Sequence, residues 1–253
     1  MKIEYINHAC ILITTNNNVK ILTDPWLHGP SWANNLWLFP KSKHDSNYFE
    51  DIDYLYISHG HEDHLHKKSI DWLPHNLKSI PVIAPDFGAK YFIDTFKKYG
   101  FSNLLMLKDN ESIKLVDDIE IKMFINHDDH DSSILFSADN TNVFFQTDNL
   151  MTRENSRLIG SSHKINLCFS ITSQTGPFPG FYNMNKEDMN KAVIKKRENS
   201  KVYSANLISD LNPKYIVPYA SDVCYFNDDF YANSLHCDDK HGYKDLVESK
   251  MPN

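Results

Sequence analysis

The segment Tyr54–His66 reads YLYISHGHEDHLH and places four of the chain's thirteen histidines directly behind a short apolar run. Within it, His59, His61, Asp63 and His64 stand at i, i+2, i+4 and i+5. On an extended strand His59, His61 and Asp63 would share one face. A turn after the strand can instead divide the donors between two ions. Imidazole nitrogen and carboxylate oxygen suit zinc, iron or manganese. Glu62 is expected to face solvent. These donors cannot saturate two ions, so further ligands must come from distant sequence. His127 and Asp148 are the best placed, because each closes an apolar strand (FINH and FFQTD).

The elements that must position these residues can be read from local patterning. KIEYIN, CILITT and VKILTD read as three short strands joined by tight turns, one of them Asn-rich. IDYLYIS is a nearly continuous apolar run, as expected of a strand covered on both faces. KKSIDWLPH and GAKYFIDTFKKYG read as helices around the strand IPVIAP. ESIKLV, IEIKMFIN, SSILFSA, NVFFQT and INLCFSI follow as strands. A long helical stretch then opens on an asparagine cap and closes at Asn212-Pro213, before a last strand, KYIVPYA. The order implies one domain over 1–253, with two similar halves (roughly 1–125 and 126–235) and a C-terminal tail. Each half is an α/β unit with its helices on the outer face. If the sheets pack face to face, the layers run helix, sheet, sheet, helix.

Composition sets outer limits. The 253 residues are 41% hydrophobic and 23% charged, with a formal net charge of -7. That balance suits a globular core and argues against nucleic-acid binding, which needs a basic surface. No apolar run reaches the roughly 18 residues of a membrane span. The N-terminus alternates like a strand, and the expected location is cytoplasmic. Cys10, Cys168, Cys224 and Cys237 are scattered and form no C-x-x-C pair, so they read as buried small residues.

The string HGHEDH matches the H-x-H-x-D-H motif of the metallo-β-lactamase superfamily. The longer segments ILTDPWLHGPSWANNLWL, DYLYISHGHEDHL, HDDHDSSILF, NVFFQTDN, FSITSQTGPFPGFY and LNPKYIVPYA resemble the catalytic domain of the CMP-N-acetylneuraminate hydroxylase family. This resemblance runs from about His8 to about Tyr231. It implies the αββα sandwich of the superfamily and two divalent ions, zinc first, with iron or manganese as the other choices. It implies that His59, His61 and His127 hold the first ion, that Asp63 and His64 hold the second, and that Asp148 bridges them. His130 is then expected behind the ligands or against substrate, with Asp24 and His8 close to the metal loop. Two departures stand out. The superfamily often supplies a late histidine to the second ion from the end of the last strand, but IVPYASD has none there, and His236 is the candidate substitute. The hydroxylases also carry a Rieske iron–sulfur domain with C-x-H and C-x-x-H ligand pairs, and none of the four cysteines here stands in such a pair.

The chemistry expected on these grounds is hydrolysis. A bound ion lowers the pKa of water from 15.7 to about 7, so that hydroxide is available at neutral pH. Asp63 and Asp148 are the catalytic carboxylates, and the net positive centre suits an anionic or carbonyl-bearing small molecule such as a phosphodiester, lactone or acylated sugar. The alternative is an iron-dependent oxygenase taking electrons from a separate redox partner protein. Asp24, in LTDPW, is expected to orient histidines. Trp26 and Trp37, with Trp32 and Phe39 between and beyond them, belong to an aromatic loop that could line the pocket. Gly176 and Gly180 would allow close backbone approach in a second loop. Lys195 and Arg197 would hold a phosphate, if they are more than a solvated helix face.

Overall fold

Strand side chains alternate between two sides, and here both sides are buried. In β2 (Cys10–Thr14), Ile11 and Ile13 enter one apolar layer while Cys10 and Leu12 enter another. β5 (Tyr54–Tyr56) sends Tyr56 one way and Leu55 the other, and both are fully buried. β11 (Thr141–Phe145) divides Phe145 from Phe144 in the same manner. Two sheets patterned in this way can satisfy both faces only by packing on each other and on outer helices.

The computed structural model, which describes residues 1–171, 179, 182–225, 233 and 240–251, has that arrangement. The first six-stranded sheet runs β1-β2-β3-β5-β6-β7, adding β1 (Lys2–Asn7), β3 (Lys20–Thr23), β6 (Val82–Pro85) and β7 (Leu104–Leu107). The second runs β13-β12-β11-β10-β9-β8, from β8 (Ser112–Lys114), β9 (Glu120–Asn126) and β10 (Asp131–Ala138) to β12 (Leu167–Ile171) and β13 (Tyr215–Tyr219). Ile11, Ile13, Ile21, Tyr56 and Ile83 of the first sheet meet Ile121, Ile134, Phe136, Phe145 and Phe169 of the second in the central seam. α1 (Lys67–Trp72) and α2 (Lys90–Lys98) cover the outside of the first sheet through Ile70, Phe92 and Phe96. α3 (Arg153–Ser162), α4 (Lys186–Leu211) and α5 (Lys240–Lys250) cover the second through Ile159, Ile208 and Val247. The four layers expected from the sequence are present. The chain changes sheet between Leu107 and Ser112, ahead of the expected division near residue 125, because β8 and β9 pair into the second sheet.

Several elements have little sequence signal. β4 (Leu36–Leu38) and β14 (Val223–Tyr225) form a two-stranded ribbon that pairs Trp37 with Cys224. At three residues each, they are too short for a period to show. α3 is mostly polar and carries an internal glycine, yet Thr152 caps it by accepting from Asn155 N–H (3.1 Å). The asparagine cap expected for α4 is Asn185, which accepts from Asp188 N–H (2.9 Å), and Asn212 ends that helix in the left-handed conformation. Cys10 and Cys168 are buried and Cys224 is half-buried, all as free thiols; Cys237 lies outside the described residues. Among the described residues no helix is long and apolar enough to cross a membrane.

Gly160 explains how closely α3 approaches α4. A β-carbon there would collide with the carbonyl oxygen of Asp210 and lie 2.8 Å from that of Leu211. Gly160→Ala is therefore expected to destabilise the protein by about 1–3 kcal/mol through overpacking, read as a lower urea midpoint with an unchanged slope.

Candidate metal centre

The polar residues of the centre sit where strands end. β1 gives way to His8, β3 to Asp24, β5 to Ser58 and His59, and β11 to Thr147 and Asp148. Three of these turn abruptly: His8 (φ 41°), Asp24 (φ 34°) and Thr147 (φ 55°) are left-handed without being glycine. Each such residue costs on the order of 1–2 kcal/mol, a cost the surrounding hydrogen bonds must offset.

Asp24 is the best-held residue. Its Oδ1 accepts from Ser58 N–H (2.8 Å), and its Oδ2 accepts from the Ser58 hydroxyl (2.7 Å) and from His64 Nδ1 (3.0 Å). That last bond places a proton on Nδ1 and turns Nε2 inward, as the nitrogen that would meet an ion. His64 Nε2 lies 3.6 Å from Asp148 and 4.0 Å from Asp63. His59 Nε2 is 2.8 Å from His61 Nδ1, 3.6 Å from Asp131 and 3.9 Å from Asp148. His8 Nε2 lies 3.5 Å from Asp63 Oδ2. The indole N–H of Trp32 donates to the other oxygen of Asp63 (3.0 Å).

Three overlapping groups of donors result, each with its ligating atoms within 4.8 Å of one another: His59, His61 and Asp131; His59, His64 and Asp148; and His8, Asp63 and His64. His8 Nδ1 and Nε2, His64 Nε2 and Asp131 Oδ1 are buried without a hydrogen-bond partner. An unsatisfied buried polar atom costs about 1–3 kcal/mol. So many at one point suit a cationic occupant, and the mixed imidazole–carboxylate set suits a divalent transition-metal ion.

The local field prepares these groups. Burial, reinforced by His64, holds His59 well below the usual histidine range, so its imidazole is neutral and ready to ligate. Burial alone would lower His64 too, but Asp148 and Asp24 outweigh it and hold the ring well above that range. Asp63 and Asp148 are pulled down against the effect of burial, Asp63 by His8 and His64 and Asp148 chiefly by His64. Burial and the Asp148 charge push Asp131 the other way, to about 7.

Not every residue expected at the centre reaches it. His127 is exposed in the four-residue turn between β9 and β10, where it lines a 450 Å³ surface cleft with Asp109 and Asn149. It belongs to none of the three donor groups. Asp131, the first residue of β10, takes the third place beside His59 and His61. The sequence offered five ligand-type residues in a row, from His127 to Asp131; strand-end position favoured the first, and the structure brings the last beside His59 and His61. His130 packs against Phe87 and Tyr91 instead of the donors. Trp26 is fully buried, edge-on beneath His8 (5.2 Å between centroids), and so forms a floor rather than a pocket wall. Trp37 is partly exposed on the β4–β14 ribbon. Lys195 lines a separate 610 Å³ cleft with Leu150, Lys196 and Tyr203, and Arg197 follows it on α4. His66, the last histidine of the motif segment, caps α1, its Nδ1 accepting from Ser69 N–H (3.2 Å). Glu62, expected to face solvent, is exposed but accepts the Trp32 backbone N–H. His236, Gly176 and Gly180 lie outside the described residues.

Two facing sheets with outer helices, and imidazoles and carboxylates gathered at the strand ends, define a metallo-β-lactamase fold, which generally holds divalent metal ions. The sequence matches the family described as Beta-lactamase superfamily domain over residues 2–151, and the chain belongs to that family. It is 26% identical over 269 residues to a cytidine monophosphate-N-acetylneuraminic acid hydroxylase of Asterias rubens, an alignment covering 100% of this chain and 40% of that protein. It is 24% identical over 233 residues to a putative Rieske 2Fe-2S iron-sulfur protein of Mycobacterium tuberculosis, covering 89% of this chain and 44% of the other. The chain thus spans less than half the length of these curated relatives. Among solved structures, an isothiocyanate hydrolase from Delia radicum gut bacteria superposes with a TM-score of 0.61 at 16% identity, covering 97% of this chain and 94% of that one.

Two outcomes are expected. Asp24→Ala removes the acceptor that orients His64, and should weaken divalent-ion binding by about 10–100-fold, measured by chelator competition. Ion uptake must also release the protons held by Asp131 and His64. Binding at His59, His61 and Asp131 should therefore fall by about tenfold for each pH unit below 7, while binding at His64 should weaken from a higher pH, both measured by the same competition across pH 5.5–8.5.

Proposed function

We propose that this chain is the metal-binding unit of an iron-dependent oxygenase that hydroxylates a small anionic molecule. One observation carries the reading: the third donor beside His59 and His61 is the carboxylate of Asp131 rather than a histidine. Two imidazoles and one carboxylate are the donor set of non-haem iron oxygenases; some zinc hydrolases use the same set, so the set admits iron and the relatives choose it. The hydroxylase and Rieske iron–sulfur relatives support the same direction.

In this reading His59, His61 and Asp131 hold one ion, and Asp63 and His64 hold a second, with Asp148 between them. The bound iron supplies oxygen activation. The overall reaction is R–H + O2 + two electrons + two protons → R–OH + H2O. The electrons come from an iron–sulfur protein or domain beyond these 253 residues. The chain's own groups prepare the centre: Asp24 fixes the His64 tautomer, burial keeps His59 neutral, and Trp32 holds the outer oxygen of Asp63 so that the inner one faces His8 and His64. Substrate enters where His61 is exposed and the Asp148 side chain is 34% accessible, beside the exposed ring of Trp32. The acidic nucleotide sugar named in the hydroxylase relatives is the first substrate to test.

Hydrolysis is the second reading, favoured by Asp148 lying between His59 and His64 as a bridging carboxylate would. Metal analysis of anaerobically purified protein, with oxygen uptake in the presence of a reduced iron–sulfur donor, separates the two. Iron and substrate-dependent oxygen uptake are expected, and Asp131→His should shift metal competition from iron toward zinc by at least about tenfold. Stoichiometric zinc, no oxygen uptake and turnover of esters or phosphodiesters would establish the hydrolase instead.

A further inference from the structure

We infer that His8, delivered from the N-terminal hairpin, is the ligand that completes the second ion's coordination, replacing the histidine missing from the end of the last strand. The inference rests on the two-ion reading above.

The last strand, β13, ends at Tyr219 and continues through Ala220 and Ser221 to Asp222, with no histidine among these residues. Asp63, His64 and Asp148 would leave that ion one protein donor short of four. His8 stands at the gap. Its Nε2 is 3.5 Å from Asp63 Oδ2, and its ring lies 5.6 Å from that of His64, centroid to centroid. Both of its ring nitrogens are buried without a hydrogen-bond partner. A histidine kept for packing alone would be expected to satisfy at least one nitrogen.

The backbone shows that this placement is built. His8 is left-handed at φ 41°, a conformation uncommon outside glycine, with histidine among the side chains that adopt it more readily. The loop that lacks a ligand enforces it. Asp222 Oδ2 accepts from His8 N–H (3.0 Å) and from the Tyr5 hydroxyl (2.6 Å). Ala220 N–H donates to the His8 carbonyl (2.9 Å), and the Tyr5 hydroxyl lies 3.0 Å from the same oxygen. Below, the face of the site is closed by Trp26, edge-on to the His8 ring. Both peptide groups of His8 are therefore clamped while its imidazole is left free toward Asp63 and His64. The segment after β13 still serves the second ion, but through Asp222 and Ala220 as positioning residues rather than through a side-chain ligand.

The test is ion stoichiometry per folded chain, with anaerobic Co(II) as the probe, followed by metal analysis and by d–d absorption. His8→Gly is the chosen variant, because glycine adopts φ 41° without strain and so removes the imidazole while keeping the turn. Wild-type protein should bind two Co(II). His8→Gly should bind one tightly, with second-ion affinity lower by at least about 100-fold, and free imidazole should restore the second ion and its absorption band. Asp222→Ala should keep two sites but weaken the second by about tenfold, leaving the first unchanged. Two ions bound by His8→Gly at wild-type affinity would overturn the assignment while leaving the two-ion centre standing. A wild-type chain that binds no ion would overturn both.

Discussion

The site depends on a carboxylate that never meets solvent. Burying Asp24 would cost several kcal/mol if its oxygens were left bare, and the fold avoids this by giving it three donors, two from Ser58 and one from His64. Those bonds tie the end of β3 to the end of β5 and to the histidine loop, so the placement of His64 and of Ser58, next to His59, traces back to them. They also choose which His64 nitrogen faces inward. A chain that folded its sheets correctly but failed to bury Asp24 against Ser58 would have the donors without their orientation.

Hydroxyls rather than charges register β10 against the first sheet and hold β11 to β13 within the second. Ser132 on β10 donates to the Ser58 carbonyl (2.7 Å) and meets the Tyr56 hydroxyl (3.1 Å), while Thr147 N–H donates to the Tyr219 hydroxyl (2.7 Å). Ser132 is adjacent to Asp131, and Thr147 is adjacent to Asp148. The two acidic donors of the second sheet are thus each one residue from a bond that fixes their strand. Neutral hydroxyls suit this place, since another charge would compete with the cluster for protons and ions.

Much of this was legible beforehand because it rests on local pattern. Short apolar runs at β2, β5, β10 and β11 gave strands, their order with the helices gave the layers, and the spacing from His59 to His64 gave the first-sheet donors. What escaped was decided by turns and by distant partners. His127 and Asp131 bracket one tight turn, and only the left-handed His130 that feeds β10 shows which of them swings inward. His8 read as a neighbour of the centre, but its free nitrogens and its clamp by Asp222, 214 residues away, lie beyond any local signal. α3 was silent because its packing uses the absence of a side chain at Gly160, which looks like a helix breaker in isolation.

The β4–β14 ribbon gives the centre a mechanical character of its own. Trp37 pairs with Cys224, and Phe39 N–H donates to the carbonyl of Asp222 (3.0 Å), the same residue whose side chain grips the backbone of His8. The ribbon and the turn that carries the buried imidazole therefore share one residue, Asp222, as a common strut. One aspartate thus anchors two segments far apart in the chain, the ribbon through its carbonyl and the N-terminal turn through its carboxylate.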